Sequence, residues 1–112
     1  MIVRLWRGRT AVDRAETYVQ HLFDVVLPKL ETLPGFRGVT VLRRLDAQEV
    51  EFVVQTHWES MQAIERFAGP NIEIAVVEPA ARAVLSSFDA TVLHYEVVGG
   101  AVALPQSRPK RG

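Results

Sequence analysis

The sequence predicts a single α+β domain in which strands and helices follow one another in the order β-α-β-β-α-β. Three observations lead to this prediction. The length, 112 residues, suits one domain. Four segments are rich in β-branched and aromatic residues, as strands are. Two further segments carry apolar residues at steps of three and four, the spacing of one helix face.

Composition and charge narrow the function classes. The chain has 48% hydrophobic and 23% charged residues, an ordinary globular composition, and its 13 basic residues balance 13 acidic ones. A zero net charge offers no broad basic surface to nucleic acid or a membrane. The absence of cysteine excludes disulfides and cysteine-ligated metals. With no apolar run of about 18 residues and no signal-peptide pattern, we expect a cytoplasmic protein.

The first strand and first helix are predicted from residue spacing. Residues 2–8 are rich in β-branched and aromatic side chains and end in glycine. Asp13 and Glu16 have the spacing of a capping box, so a helix should begin just after Asp13. Pro28 lacks the amide that a helix interior needs. We therefore expect a kink or break at Pro28, with a short helical continuation.

The remaining elements complete the predicted order. Two strands at residues 38–45 and 50–58 are expected to form a hairpin. A helix at residues 61–68, a short helix that begins at Pro79 and a last strand at residues 90–98 follow. Gly69 is expected to end the 61–68 helix in the left-handed conformation. This is the ferredoxin-like arrangement, an antiparallel four-stranded sheet with helices on one face. The domain is expected to span residues 1–98, and residues 99–112, with three basic and no acidic side chains, to form a flexible basic tail.

Both faces of the predicted sheet are apolar, which predicts a homodimer. In the last strand Leu93 and Tyr95 lie on one face, and Val92 and Val98 on the other. A face exposed to solvent should instead be polar at every second position, and two helices cover only one face. We therefore expect two copies to pack sheet against sheet.

Several short motifs occur along the chain: Pro34-Gly35-Phe36, Trp58-Glu59-Ser60, Ala63-Ile64, Phe67-Ala68-Gly69, residues 75–79 and His94-Tyr95-Glu96-Val97. With these motifs the chain resembles antibiotic biosynthesis monooxygenase-like (ABM) members of the dimeric α/β-barrel superfamily. The resemblance implies that two copies close into an α/β barrel, and that the protein is a cofactor-independent monooxygenase acting on a small aromatic or polyketide-type molecule. The alternative is a non-catalytic homodimeric module of the same fold that binds a small apolar ligand or has a structural role.

Two departures from the family pattern bear on cofactors. Haem-degrading members carry an iron-ligating histidine on the helix after the tryptophan-containing strand, and the 61–68 helix here has none. The family's oxygenases also usually use an asparagine near the pocket, whereas Asn71, the single asparagine, falls in a predicted turn. Haem is therefore disfavoured, and we expect no cofactor.

The candidate catalytic residues are His94, His57 and Arg4. Oxygenation without a cofactor needs a substrate that can itself reduce O2, such as a phenolate, and therefore a base and an anion partner. The histidines could act as bases and Arg4 could stabilise the anion. Each residue also has a structural interpretation: His57 would face the partner subunit, His94 would be a hydrogen-bonded residue, and Arg4 would pair with Glu96 or with an acid of the partner subunit.

Three aromatic residues are candidate substrate-binding walls. Trp58, Trp6 and Tyr18 could flank an aromatic ligand in a pocket between the sheet and its helices, although Trp58 and Tyr18 could equally be core residues. His21 lies beside the apolar stripe of the first helix and is predicted to be a surface residue. Three histidines on separate elements make a poor metal site, so no metal is expected.

Overall fold

The computed structural model describes residues 1–101, so most of the predicted basic tail lies outside the described residues. The strands are β1 (Ile2–Ala11), β2 (Phe36–Asp46), β3 (Glu49–Trp58), β4 (Ser87–Phe88) and β5 (Leu93–Glu96). The helices are α1 (Ala15–His21), α2 (Leu27–Leu30), α3 (Met61–Ala68) and α4 (Pro79–Val84). A π-helical turn, Leu22–Val26, joins α1 to α2. The predicted β-α-β-β-α-β order is confirmed.

The strands form one antiparallel sheet in the order β2-β3-β1, with β4 and β5 both pairing with the far side of β1. Paired residues share a face of the sheet, so the register defines which side chains lie together. Arg4 of β1 is opposite Thr56 of β3 on one side and His94 of β5 on the other. The central position of β1 is therefore as expected from the ferredoxin-like order.

The start of the first helical segment differs from the prediction. A single 3-10 turn, Val12–Arg14, follows β1 and leads directly into α1, and no side chain caps either element. Glu16 does not reach back to form a capping box, because its carboxylate instead accepts a hydrogen bond from Arg43 of β2 at 2.6 Å. The predicted capping box at Asp13 is wrong, although a helix does begin within two residues of that position.

Pro28 does not break the first helical segment. The chain stays helical as far as Leu30, and Pro28 occupies the first turn of α2. Amides in the first turn of a helix have no intrahelical acceptor, so the amide that proline lacks is not needed there. The wider π-helical turn before it shifts the hydrogen-bonding register by one residue. The segment therefore accommodates Pro28 without a break, because the helix type changes just before it.

A tight contact joins the end of this segment to α3. Gly35 has a φ of +85°, and a Cβ placed there would lie only 2.5 Å from the Cβ of Ala63. The Ser60 side chain caps α3 by accepting a hydrogen bond from the Ala63 amide at 3.2 Å. The helix ends at Ala68, and Gly69 has a positive φ of 84° but an extended ψ of −174°, so the predicted left-handed stop is only partly correct.

The predicted last strand, 90–98, is shorter in the structure: only Leu93–Glu96 forms a strand there, β5, and the two-residue strand β4 precedes the predicted range. The Asp89 amide still donates to the Arg7 carbonyl at 3.0 Å, and the Asp89 carbonyl accepts a hydrogen bond from the Trp6 indole N–H at 2.7 Å. Beyond Asp89 the chain leaves β1. The segment that follows pairs instead with residues 73–75, through amide-to-carbonyl bonds from Val92 to Glu73 and from Ala75 to Ala90. The chain then rejoins β1 as β5.

The two faces of the sheet differ sharply in burial. The helix-covered face holds two clusters of buried side chains, one around Tyr18 and Phe52 and one around Trp58 and Ile64. On the other face Leu42, Leu93, Tyr95 and Val97 are exposed in the single chain. Within residues 1–101, no helix is long and apolar enough to cross a membrane.

Candidate functional site

A cavity of about 390 Å³ lies between the covered face of the sheet and the helical segment from α1 to α2. Its floor consists of two neighbouring rows of the sheet, because Arg4, Thr56 and Val39 are paired across the strands, as are Trp6, Val54 and Val41. The helical side is mainly apolar. It includes Tyr18, His21, Leu22, Phe23, Val26, Leu27 and Leu30. A mostly apolar enclosure with a few polar groups is typical of a small-molecule site.

Arg4 is the charged group in the floor of this cavity and is only 4% exposed. Its Nη1 donates to the Ile72 carbonyl, and its Nη2 donates to the Ile74 carbonyl at 2.9 Å. Burial lowers the pKa of Arg4 to about 10, which still leaves the guanidinium charged at neutral pH. The predicted pairing with Glu96 does not occur, because Glu96 is opposite Ile2 in the sheet. No carboxylate of residues 1–101 lies within ion-pair distance of Arg4.

His94 is the immediate neighbour of Arg4 rather than a residue of the cavity lining. Its Nε2 accepts a hydrogen bond from Arg4 Nη1 at 3.1 Å, which requires the neutral ring with the proton on Nδ1. Burial lowers the pKa of His94, the positive charge of Arg4 lowers it further, and Glu73 opposes the change. The structure thus brings Arg4 and His94 together, with the histidine neutral and its lone pair directed at the guanidinium.

Two of the three predicted aromatic walls line the cavity. Trp6 lies in the floor, held by its hydrogen bond to the Asp89 carbonyl. Tyr18 reaches the cavity from α1 and packs edge-on against Phe52, with ring centroids 4.9 Å apart. Burial raises the pKa of Tyr18, so its hydroxyl stays protonated at neutral pH.

The third predicted wall, Trp58, belongs to the core. It is fully buried, stacks on Phe67 at 5.3 Å and donates its indole N–H to Thr56 Oγ1 at 2.8 Å. It is not among the residues that line the cavity, because Phe67 and Thr56 lie between it and the open space. The structure therefore gives Trp58 the packing role that was the alternative interpretation.

His57 lies on the uncovered face of the sheet. The register places it opposite Val3 and Gly38, and its Nε2 lies 3.4 Å from Thr40 Oγ1. A residue on this face cannot reach a cavity on the other side of the sheet. The candidate base role for His57 does not fit this position, and its orientation toward a partner subunit stays a prediction.

His21 was predicted to be a surface residue, and this prediction is wrong. The side chain is half-buried and lines the cavity, and its Nε2 is enclosed without a hydrogen-bond partner. His21 follows Tyr18 by three residues, so both side chains lie on one face of α1. This spacing is the feature of the sequence that could have indicated that His21 lines the same space as Tyr18. The sequence nevertheless predicted an exposed His21, because a polar residue at the edge of an apolar helix stripe usually faces solvent.

An ion pair lies at the rim of the cavity. Lys29 of α2 and Glu78, which precedes α4, line the cavity and lie 3.3 Å apart. This contact links the two helical segments around the opening, although an exposed pair of this kind contributes at most about 1 kcal/mol. Within residues 1–101 no three histidine, aspartate or glutamate side chains cluster in a way that could hold a metal ion.

Several solved structures share this fold over nearly the whole chain. A candidate antibiotic biosynthesis monooxygenase from Bacillus cereus is 16% identical, with 94% of this chain and 98% of that chain covered and a TM-score of 0.61. SnoaB, a cofactor-independent oxygenase from Streptomyces nogalater, is 21% identical, with 88% and 94% covered and a TM-score of 0.59. The haem degrader MhuD from Mycobacterium tuberculosis, solved with two haems in its active site, is 28% identical, with 91% and 100% covered and a TM-score of 0.57.

The comparison with curated proteins finds no match. The sequence profile of the antibiotic biosynthesis monooxygenase family matches residues 1–69, which include the predicted Pro34-Gly35-Phe36 and Trp58-Glu59-Ser60 motifs. That match covers more than half of the chain. The protein is therefore a member of the antibiotic biosynthesis monooxygenase (ABM) family.

Proposed function

We propose that this protein is a cofactor-independent monooxygenase that acts on a small aromatic or polyketide-type molecule bound in the cavity above Arg4. One observation carries the proposal: an apolar cavity whose floor contains a buried guanidinium with no carboxylate partner among the described residues. Family membership supports a monooxygenase-like function in general. The substrate class and the residue roles are inferred from the cavity.

The charge of Arg4 favours a ligand with an acidic oxygen. A guanidinium has five N–H donors, and three are used by the carbonyls of Ile72 and Ile74 and by His94. The Nε–H and one Nη2–H of Arg4 therefore have no partner within residues 1–101. Because a buried cation without a counter-ion is costly, an anionic ligand oxygen would be strongly favoured at this position.

The chemistry balances without an external reductant. A ring methylene or C–H beside a phenol loses its proton, and the resulting carbanion or phenolate gives an electron to O2. Recombination with the superoxide forms a C–O bond and gives a peroxide. Its O–O bond then breaks as the remaining proton leaves the carbon and water departs, so that a CH2 group and O2 become C=O and H2O. The substrate supplies all the electrons, and the protein has to bind it, favour its anion and exclude water.

Arg4 is proposed to stabilise the substrate anion and His94 to position Arg4. The His94 lone pair accepts an Arg4 N–H, so His94 must lose that bond before it can act as a base. The charge next to His94 also lowers its pKa, which weakens it as a base. A stabilised anion forms at lower pH, so the guanidinium promotes deprotonation even when the proton leaves to water.

Haem does not fit the residues present, although MhuD, at 28% identity, binds it. Helix α3 contains no histidine and contributes Phe67 to the cavity lining. His94 already accepts a hydrogen bond from Arg4 through Nε2, the atom that would have to bind iron. No step of the proposed reaction involves haem.

We also propose that the protein is a homodimer formed through the uncovered sheet face, and that it is located in the cytoplasm. Leu42, Leu93, Tyr95 and Val97 form an exposed apolar surface on that face. Specific interfaces bury about 800 Å² on each partner, a scale that one face of a sheet of this length can supply. The cavity lies on the opposite face, so dimerisation leaves its helical side free.

Oxygen uptake with anthrone- and hydroquinone-like phenols tests the proposed activity. Arg4→Met should lower the rate above the buffer background by about 10²–10³, the usual cost of removing an electrostatic donor, and Arg4→Lys should retain part of it. His94→Gln should reduce the rate less, because an amide can still accept the Arg4 N–H.

His57→Gln is the control, since it removes a histidine from the uncovered face. A wild-type rate equal to background across the panel, together with tight binding of the same phenols, would favour the non-catalytic ligand-binding module. Full activity in Arg4→Met would contradict the proposed role of Arg4.

A further inference from the structure

The helical wall of the cavity contains two polar groups without partners. Tyr18 is only 2% exposed, and its hydroxyl makes no hydrogen bond within residues 1–101. His21 Nε2 is enclosed and also lacks a partner among these residues. Both side chains line the cavity. Nearly all buried polar groups in proteins are satisfied, so the enclosed His21 nitrogen needs an explanation, and Tyr18 brings a hydroxyl to the same cavity.

Both groups lie on the same helix face one turn apart. Residues three apart on a helix have Cβ atoms about 5–6 Å from each other, so one end of a ligand can reach both side chains. The π-helical turn begins at Leu22, directly after His21. Such turns change the direction of the following side chains and are frequent at functional sites.

This pair is distant from Arg4 along the sheet. Tyr18 packs on Phe52, whereas Arg4 pairs with Thr56, four residues further along β3. Four residues of a strand span about 13 Å, so Arg4 and the Tyr18 ring approach the cavity from separate positions along it. A ligand that contacts both must be elongated and carry oxygen atoms near both ends.

We infer that Tyr18 and His21 form a second polar binding site, which holds a hydroxyl group of the ligand at the end remote from Arg4. The Tyr18 hydroxyl, which stays protonated at neutral pH, donates to the ligand oxygen, and His21 Nε2 accepts the ligand's O–H. The inference rests on the proposed function in assuming that the ligand occupies this cavity. It names the ligand class more closely: a flat fused-ring aromatic molecule with an acidic group at one end and a hydroxyl at the other.

Two naphthoic acids test the inference. The probes are 6-hydroxy-2-naphthoic acid and 2-naphthoic acid, which differ only in the hydroxyl remote from the carboxylate. Wild-type protein should bind the hydroxylated acid roughly 5–100-fold more tightly, the usual net effect of two added hydrogen bonds. Tyr18→Phe and His21→Leu should each reduce or remove this preference.

Tyr95→Phe is the matched control, because it removes a hydroxyl from a tyrosine on the uncovered face. The preference should survive in this variant. A preference of the same size in Tyr18→Phe and in His21→Leu would overturn the inference, as would equal affinity of wild-type protein for the two acids.

Thermal stability without ligand gives a second readout. Removing a buried polar atom that has no partner should leave Tm unchanged or raise it by a few degrees, because the cost of burying that atom disappears. Tyr18→Phe and His21→Leu are expected to behave in this way. A clear fall in Tm in both variants would show that the two polar groups stabilise the fold, and would overturn the binding role.

The naphthoic acid titration and the oxygen-uptake assay fail independently. If neither acid binds to wild-type protein, the two-ended binding mode is wrong, whatever the activity on phenols. If both acids bind with the predicted preference and no phenol is oxidised, the second polar site stands and the monooxygenase proposal fails.

Discussion

The two faces of the sheet contain similar apolar residues and differ in what covers them. On the face under the helices, Phe52 is fully buried, and the space that side chains leave unfilled is the cavity. On the other face Leu93 and Tyr95 are 54% and 51% exposed. An apolar sheet face gains stability only when something removes it from water. This chain covers one face by itself and leaves the other apolar face exposed, which is the face through which we propose that two copies associate.

The largest difference between the faces should appear in chain stability. Phe52→Ala on the covered face should lower the free energy of unfolding by about 3–5 kcal/mol, because it removes a fully buried ring and leaves a cavity. Tyr95→Ala on the uncovered face should change the stability of the monomeric chain far less. Urea unfolding at low protein concentration, where a dimer would dissociate, measures both. Equal losses would mean that the uncovered face is packed within one chain.

Dimer formation should depend on the uncovered face alone. Leu93→Glu places a charge opposite Leu5, within the proposed interface, and should weaken dimerisation by at least about 10²-fold because that charge would be buried without a partner. Sedimentation equilibrium at micromolar concentration should give twice the 12.5 kDa chain mass for wild-type protein and 12.5 kDa for the variant.

Leu45→Glu is the control for this experiment. Leu45 is an exposed leucine near the end of β2 and lies on the other face of the sheet, opposite Val50. This variant should remain dimeric. A wild-type protein that sediments as a monomer would refute the homodimer and require another occupant for the uncovered face.

A smaller effect concerns the contribution of His94 to the pH dependence of stability. In the folded chain burial lowers the pKa of His94 below its ordinary 6.5, and Arg4 adds to this. The unfolded chain therefore binds more protons between the two pKa values, so the stability contributed by this site falls as pH falls below about 6.5. His94→Gln should flatten that part of the stability profile relative to wild-type protein. His57→Gln is the comparison variant, and identical profiles for wild type and His94→Gln would contradict the geometry at Arg4.

The sequence predicts the fold well because residue spacing and strand composition determine it. Apolar periodicity identifies α3, and the position of Pro79 identifies the start of α4. Prediction from the sequence fails where a contact between residues distant in the chain determines the local structure. The last strand begins at Leu93 rather than at Ala90, because residues 90–92 pair with residues 73–75 instead of β1, and no local pattern contains that contact.

The candidate site is predictable only in part for the same reason. Arg4 follows from the rarity of a charge in a central strand, and its proximity to His94 follows from the strand order. The position of His21 depends on how α1 is rotated over the sheet, and that rotation is set by packing along the whole helical segment. Trp58 and Trp6 have similar sequence contexts, and the structure alone separates the core residue from the cavity wall.

The two tryptophans allow the most direct test of the claim that the covered face holds a ligand. Each indole N–H gives its own signal in a ¹H–¹⁵N NMR spectrum, and Trp6→Phe and Trp58→Phe assign the two signals. Titration with 6-hydroxy-2-naphthoic acid should shift the Trp6 signal strongly, since Trp6 lies in the cavity floor, and the Trp58 signal much less, since Trp58 lies behind Phe67 and Thr56. Saturable binding that leaves the Trp6 signal in place and instead perturbs His57 and Tyr95 would locate the ligand on the uncovered face and contradict the account.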